Sequence, residues 1–188
     1  MKVADAEILI VPGLGNSGEG HWQTRWEERL SSARRIEQAD WDNPVLEHWT
    51  NRIVREVAVS TKPVVFVAHS LGIPTVLHAL PKLTRPVAGA FFVAPPDVSD
   101  PSRVPPSVAA FGPYPTTRLA FPSVTIASRN DPYCAFETVE AMTNLWHSLL
   151  IDAGESGHIN AASGHGPWPE GTMVFAQFLS QLEAPRLH

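Results

Sequence analysis

Apolar positions in this chain follow two alternating rhythms. Short runs that are hydrophobic almost throughout occur in "AEILIVPG" (6–13), "PVVFVAH" (63–69), "VAGAFFVAPP" (87–96), "PSVTIASRND" (122–131) and "SLLIDAG" (148–154). Each is bounded by turn-forming residues and has the length of a strand buried on both faces. "RRIEQAD" (34–40) is a weaker strand candidate. Between these runs the apolar spacing becomes helical. In "EGHWQTRWEERLSS" (19–32), Trp22, Trp26 and Leu30 recur at i, i+4 and i+8, which predicts a helix with one apolar stripe. "NPVLEHWTNRIVREVAVS" (43–60) repeats Val45, Leu46, Trp49, Ile53 and Val57, with Asn43 expected as N-cap and Pro44 at the first helical position. A helical pattern also follows strand 63–69, and "AFETVEAMTNLWHSL" (135–149) and "PEGTMVFAQFLSQLEA" (169–184) supply two more helices.

Strands alternating with helices, each strand apolar on both sides, predict a three-layer α/β arrangement: a mostly or fully parallel sheet covered on both faces. With 188 residues, one domain spanning 1–188 is expected, without a separate cap. The seven prolines of residues 95–115 predict a stiff loop without regular structure. In parallel sheets ligands bind beyond the carboxyl ends of the strands. The turn 13–17, Ser70, Asp131 and His158 all fall at such ends and therefore on one edge of the sheet.

Ser70 sits where a buried strand turns sharply into a helix, with only Ala68 and Gly72 two positions either side. Small residues there fit a crowded turn that pushes the hydroxyl into a cleft, as in a nucleophile elbow. A serine hydroxyl needs an adjacent base, and the base needs a carboxylate to hold its tautomer. Asp131 in "ASRNDPYC" and His158 in "DAGESGHIN" follow in the chain order Ser, Asp, His expected of such a site. Rivals are His165 for the base and Asp97 or Asp100 for the acid. Backbone N–H groups of Leu71, after the serine, and Leu14, in the glycine-rich first loop, are the expected oxyanion donors. Asn16, His21, Trp22 and Trp168 are candidates for lining the substrate pocket, although Trp22 also fits the helix stripe and Trp168 could brace the histidine loop. Gly13, Gly15 and Gly18 satisfy the G-x-G-x-x-G spacing, with Asp40 as a conceivable ribose partner; alone this is a weak dinucleotide signal.

Composition narrows the remaining choices. A net charge of −5 without a Lys/Arg cluster disfavours a nucleic-acid surface. No run approaches the length of a membrane span, and Asp5 and Glu7 interrupt what would be a signal peptide. The single cysteine, Cys134, excludes an intramolecular disulfide and fits a reducing compartment, so a cytoplasmic protein is expected. No His, Cys and carboxylate group shows metal-ligand spacing, so neither metal nor cofactor is expected.

The segments "PGLGNSGEGHWQTRWE", "VAHSLG", "SRNDPYC", "GHIN" and "GPWPEG" resemble, in order and over nearly the whole chain, the small serine hydrolases related to retinoblastoma-binding protein 9, a minimal branch of the α/β-hydrolases. The resemblance implies Ser70 as nucleophile, Asp131 as acid and His158 as base. It also implies an α/β-hydrolase-like six-stranded sheet in the order 2-1-3-4-5-6 without the usual first antiparallel strands. Ala68 stands where many hydrolase elbows carry Gly, a difference of one methyl group. The retinoblastoma-binding label does not carry over, because L-x-C-x-E is absent and the cysteine reads "PYCAFE". The expectation is a serine hydrolase of small acyl compounds, with a carboxylic ester as the leading substrate. The same machinery would serve an amidase, peptidase or thioesterase, and the fold could instead serve a partner-binding protein. A small-molecule acyl substrate and a monomer or small homo-oligomer complete the expectation.

Overall fold

The computed structural model describes residues 1–183. Six strands form one sheet: β1 (Glu7–Val11), β2 (Ala33–Arg35), β3 (Val64–His69), β4 (Val87–Val93), β5 (Ser123–Ala127) and β6 (Leu149–Asp152). Every pairing is parallel, and the order is β2-β1-β3-β4-β5-β6, as expected. Among the described residues the α-helices are α1 (Trp22–Arg29), α2 (Leu46–Val59), α3 (Gly72–Ala79), α4 (Phe136–Trp146) and α5 (Pro169–Gln181).

Because successive strand side chains point to opposite faces, the apolar strands fill two cores. Leu9, Val11, Phe66, Ala68, Ala90 and Phe92 meet α2 through Trp49, Ile53 and Val57 and α3 through Ile73 and Val76. Ile8, Ile10, Val65, Val67, Phe91 and Val93 meet α1 through Trp22 and Trp26 and α5 through Phe175, Phe178 and Leu179. Val98, Val104, Val108 and Phe111 of the proline-rich segment belong to the first core. That segment is not wholly irregular: Pro106–Phe111 forms a short 3-10 helix that lets Val108 and Phe111 face inward.

Several element ends differ from expectation, each for a local reason. The helix expected from Asn43 begins at Leu46, with Val45 as an N-cap that makes no side-chain bond. Asp40 competes for the chain: its Oδ1 accepts the Asp42 and Asn43 amides at 2.9 Å each, closing a turn that holds Asn43 outside the helix. These bonds hold the Asp40 carboxyl below its ordinary range, and they occupy the group considered for a ribose. The helix expected over 19–32 is shorter because the His21 ring caps it, Nδ1 accepting the Gln23 N–H. The weak strand shifts to Ala33–Arg35, in register with Ile8, Leu9 and Ile10. The helix expected to reach 149 ends at Trp146, where His147 turns left-handed (φ 56°) and releases Leu149 into β6. The expected end of the last helix, Ala184, lies outside the described residues.

Candidate active site

The two residues following β1, Pro12 and Gly13, press against the elbow after β3. A Cβ on Gly72 would lie 2.3 Å from the Val11 carbonyl oxygen, and one on Gly13 would lie 2.8 Å from Ser70 Cβ and 3.0 Å from the Leu71 nitrogen. Glycine is required at both positions by this close approach. Ser70 itself holds φ 52°, the left-handed region that side chains seldom occupy. The strained turn is pinned by the Ser70 N–H donating to the Val93 carbonyl (3.0 Å) and the Ile73 N–H donating to the Ser70 carbonyl (2.9 Å).

The loops after β5 and β6 bring Asp131 and His158 to the same place. Carboxylate oxygens only accept, so His158 Nδ1–H donates to Asp131, 3.0 Å from Oδ1 and 2.9 Å from Oδ2. That leaves the Nε2 lone pair facing Ser70 Oγ at 2.9 Å, within range for the hydroxyl to donate. Asp131 Oδ1 also accepts the Tyr133 N–H at 2.9 Å, which orients the carboxylate. The imidazole lies between two rings, Tyr133 at 4.5 Å and His69 at 4.9 Å between centroids. Asp131 and His158 are both buried.

The rivals are elsewhere. His165 pairs its Nδ1 with the Ser163 hydroxyl and packs edge-on to Trp168. Asp97 accepts from the Ser99 amide and Asp100 from Ser102; neither is hydrogen-bonded to His158. The Cys134 thiol is pushed up to about 12, by burial first and then by Asp97 and Asp131, so it is held as an inert thiol.

A cleft of about 260 Å³ opens over Ser70. Around it lie the polar Asn16, His21 and Asn160, the apolar Leu14, Leu71, Pro96, Val104, Pro105 and Val108, and Tyr133. The Leu14 and Leu71 amides donate to no acceptor among the described residues. Both belong to turns in contact with Ser70, and the Leu71 amide stands at the N-terminal end of α3, where the helix dipole favours negative charge.

Two expected pocket residues are not in the cleft. Trp22 has no exposed surface, and its Nε1–H donates to the Ile159 carbonyl at 2.9 Å. That bond braces the histidine loop, where Ile159 takes a left-handed φ of 46° despite its β-branch. Trp168 packs against Trp22 and Trp26 in the second core. In both cases the indole area is satisfied by burial rather than by a ligand.

The structure adds residues that motif reading left without a role. His69 Nε2–H donates to the His158 main-chain oxygen at 2.9 Å. Gln23, fully buried, donates from Nε2 to the Val11 and Val67 carbonyls and accepts the Ser17 hydroxyl, tying the ends of β1 and β3 to the first loop. The Arg35 guanidinium bonds Asn16 Oδ1, the Ser17 carbonyl, Thr24 Oγ1 and the Glu27 carboxylate. Gln23 and Arg35 sit in unremarkable helix and strand sequence, and no local signal marks them. Burial, foremost, holds His69 well below its ordinary pKa and lowers His21 from 6.5 to about 4, with Arg35 and His158 adding to the latter.

Residues 8–177 match the model of a family described as serine hydrolase. A solved structure of a candidate YdeN-like hydrolase from Pectobacterium atrosepticum is 35% identical, covers 95% of this chain and 93% of its own, and superposes with a TM-score of 0.83. The ydeN gene product of Bacillus subtilis is 21% identical over 93% of this chain and 98% of its own, with a TM-score of 0.79. Esterase 2 of Thermogutta terrifontis, 14% identical over 99% and 88%, shares the fold with a TM-score of 0.68. No curated protein matches the chain.

Proposed function

The chain belongs to the serine hydrolase family, and from that premise we propose that it hydrolyses small carboxylic esters through an acyl-enzyme on Ser70. The observation that carries this reading is one line of contacts: Asp131 to His158 Nδ1 at 2.9 Å, and His158 Nε2 to Ser70 Oγ at 2.9 Å. Ser70 Oγ attacks the ester carbonyl while His158 Nε2 takes its proton. The carbonyl oxygen, now an oxyanion, is bound by the Leu14 and Leu71 N–H groups. The imidazolium, steadied by Asp131, gives its proton to the departing alkoxide as the C–O bond breaks. Water then attacks the acyl-enzyme with His158 again as base, and collapse returns the proton to Ser70 as the acid leaves.

The cleft's size and its Pro96, Val104, Pro105 and Val108 wall support short acyl groups. An ester is favoured over an amide because an alkoxide leaves more readily than an amine. The closer relation to the retinoblastoma-binding protein 9 branch rests on the five motif segments. A cytoplasmic setting rests on the single buried cysteine; no helix among the described residues is long and apolar enough to cross a membrane. The test is labelling with a fluorophosphonate, followed by hydrolysis of p-nitrophenyl acetate and butyrate. Labelling at Ser70 with ester turnover is the expected result. An unlabelled Ser70 in folded protein overturns the reading.

A further inference from the structure

Three polar residues of the cleft, Asn16, His21 and Asn160, share one property. Each spends its acceptor atom on the protein and keeps its donor free. His21 Nδ1 accepts the Gln23 N–H at 3.1 Å, so the ring proton is on Nε2. Asn16 Oδ1 accepts the Ser17 N–H at 2.7 Å and Arg35 Nη1 at 2.5 Å. Asn160 Oδ1 accepts the Ser163 N–H at 3.0 Å. Backbone amides and guanidinium groups can only donate, so these assignments are forced by the partners and not by a choice of amide orientation. His21 Nε2, Asn16 Nδ2 and Asn160 Nδ2 have no acceptor among the described residues. They are also absent from the buried unpaired atoms, which are Arg25 Nε and Ser123 Oγ, so solvent reaches all three.

The three donors lie on two loops that meet: a Cβ on Gly20 would stand 3.7 Å from Ala161 Cβ. The same cleft is also lined by the apolar Pro96, Val104, Pro105 and Val108. No formal cation lines the donor edge. Arg35 lies behind it with Glu27 as its counter-ion, its side chain 7% exposed. An anion entering here would lose its water without gaining a counter-charge, whereas a neutral oxygen would gain N–H partners at little desolvation cost.

We propose that Asn16, His21 and Asn160 form a donor-only edge selecting acyl compounds that carry a second, uncharged carbonyl oxygen close to the scissile one. This deepens, and rests on, the reading of Ser70 as the acyl-accepting serine. A cleft built to hydrogen-bond an oxygen discriminates against the analogue lacking it, because its donors are then left unpaired.

The test uses four probes: butyl butyrate, butyl 3-oxobutanoate, 2-oxobutyl butyrate and monobutyl succinate. Calorimetric binding to the Ser70→Ala protein reads the preference without turnover, and hydrolysis by the unaltered protein reads the reaction, so the two readings fail separately. One of the two oxo esters should bind about tenfold more tightly than butyl butyrate. Asn16→Asp and Asn160→Asp keep the bonded acceptor but replace the free NH₂ with oxygen, and each, built into the Ser70→Ala protein, should abolish most of that preference. The pair, on different loops, guards against one variant failing to fold. Equal binding of all three neutral esters, tighter binding of the succinate, or a preference unchanged in both aspartate variants overturns the proposal. A binding preference without hydrolysis leaves the donor edge standing and removes the acyl-enzyme reading.

Discussion

His69 donates its Nε2–H to the main-chain oxygen of His158 across 2.9 Å, joining the residue before the elbow serine to the backbone of the residue that faces it. The bond is buried, and its two ends come from β3 and from the loop after β6, 89 positions apart. It ties the His158 main chain to β3, a second contact beside the one its ring makes with Asp131. His69→Leu leaves a buried carbonyl unpaired and should cost about 1–3 kcal/mol of stability. It should also lower kcat by about one to two orders of magnitude as the imidazole drifts. His69→Gln, which can still donate, should recover part of both. Equal kcat in wild type and His69→Leu would show that Asp131 alone positions the ring.

Ser70 combines chemistry with backbone strain, and two substitutions separate them. Ser70→Ala should lose several orders of magnitude in turnover while remaining folded. Ser70→Gly should be equally inactive yet more stable, by about 0.5–1 kcal/mol, because glycine accepts φ 52° freely. Urea midpoints of the three proteins measure the difference. A less stable glycine variant would mean that the turn stores no strain.

For the base and acid, His158→Ala should be as damaging as Ser70→Ala, whereas His165→Ala should change kcat/KM only a few-fold. Asp131→Asn should cost on the order of ten-thousand-fold, since an amide can present its N–H to the ring and select the wrong tautomer. Rate assays on an ester the wild type cleaves decide the matter. A damaging His165→Ala beside a mild His158→Ala would reassign the base.

Stability should fall in mild acid because of His21 and His69. Both hold folded-state pKa values below the ordinary one, so the unfolded chain takes up protons that the native protein refuses. For His21 the contribution is complete above pH 6.5 and is lost as pH falls from 6.5 to about 4, amounting to roughly 3 kcal/mol. His69 acts in the same direction. Urea unfolding at pH 7.5 and 5 should show the loss, and His21→Asn, which keeps a capping acceptor but does not titrate, should reduce it. An unchanged slope in that variant would remove His21 from the account.

Gly72→Ala should be among the most destabilising changes to the elbow, costing about 3 kcal/mol or more, because its Cβ would meet backbone oxygen at 2.3 Å with no flexible side chain to yield. A calorimetric melt checks this; a melting temperature within a degree or two of wild type would show that β1 and the elbow can separate.

The sheet and its candidate chemistry were legible in the sequence because they are written in local patterns. Apolar runs such as Val64–His69 mark strands buried on both faces, and turn residues at their carboxyl ends mark one edge of a parallel sheet. Ser70, Asp131 and His158 could therefore be named from order and strand-end position alone. Element ends were less legible, because Asp40 competes with the expected cap at Asn43 through bonds that depend on how the turn closes. What only the tertiary structure decided was which way each polar group faces. Nothing in the sequence says that Trp22 gives its N–H to Ile159 and leaves the cleft, that Arg35 takes Asn16 Oδ1, or that His69 holds His158. Those bonds join residues 19 to 137 positions apart. A hydrogen bond's direction is set by where two loops meet, whereas hydrophobic periodicity is set within one segment of chain.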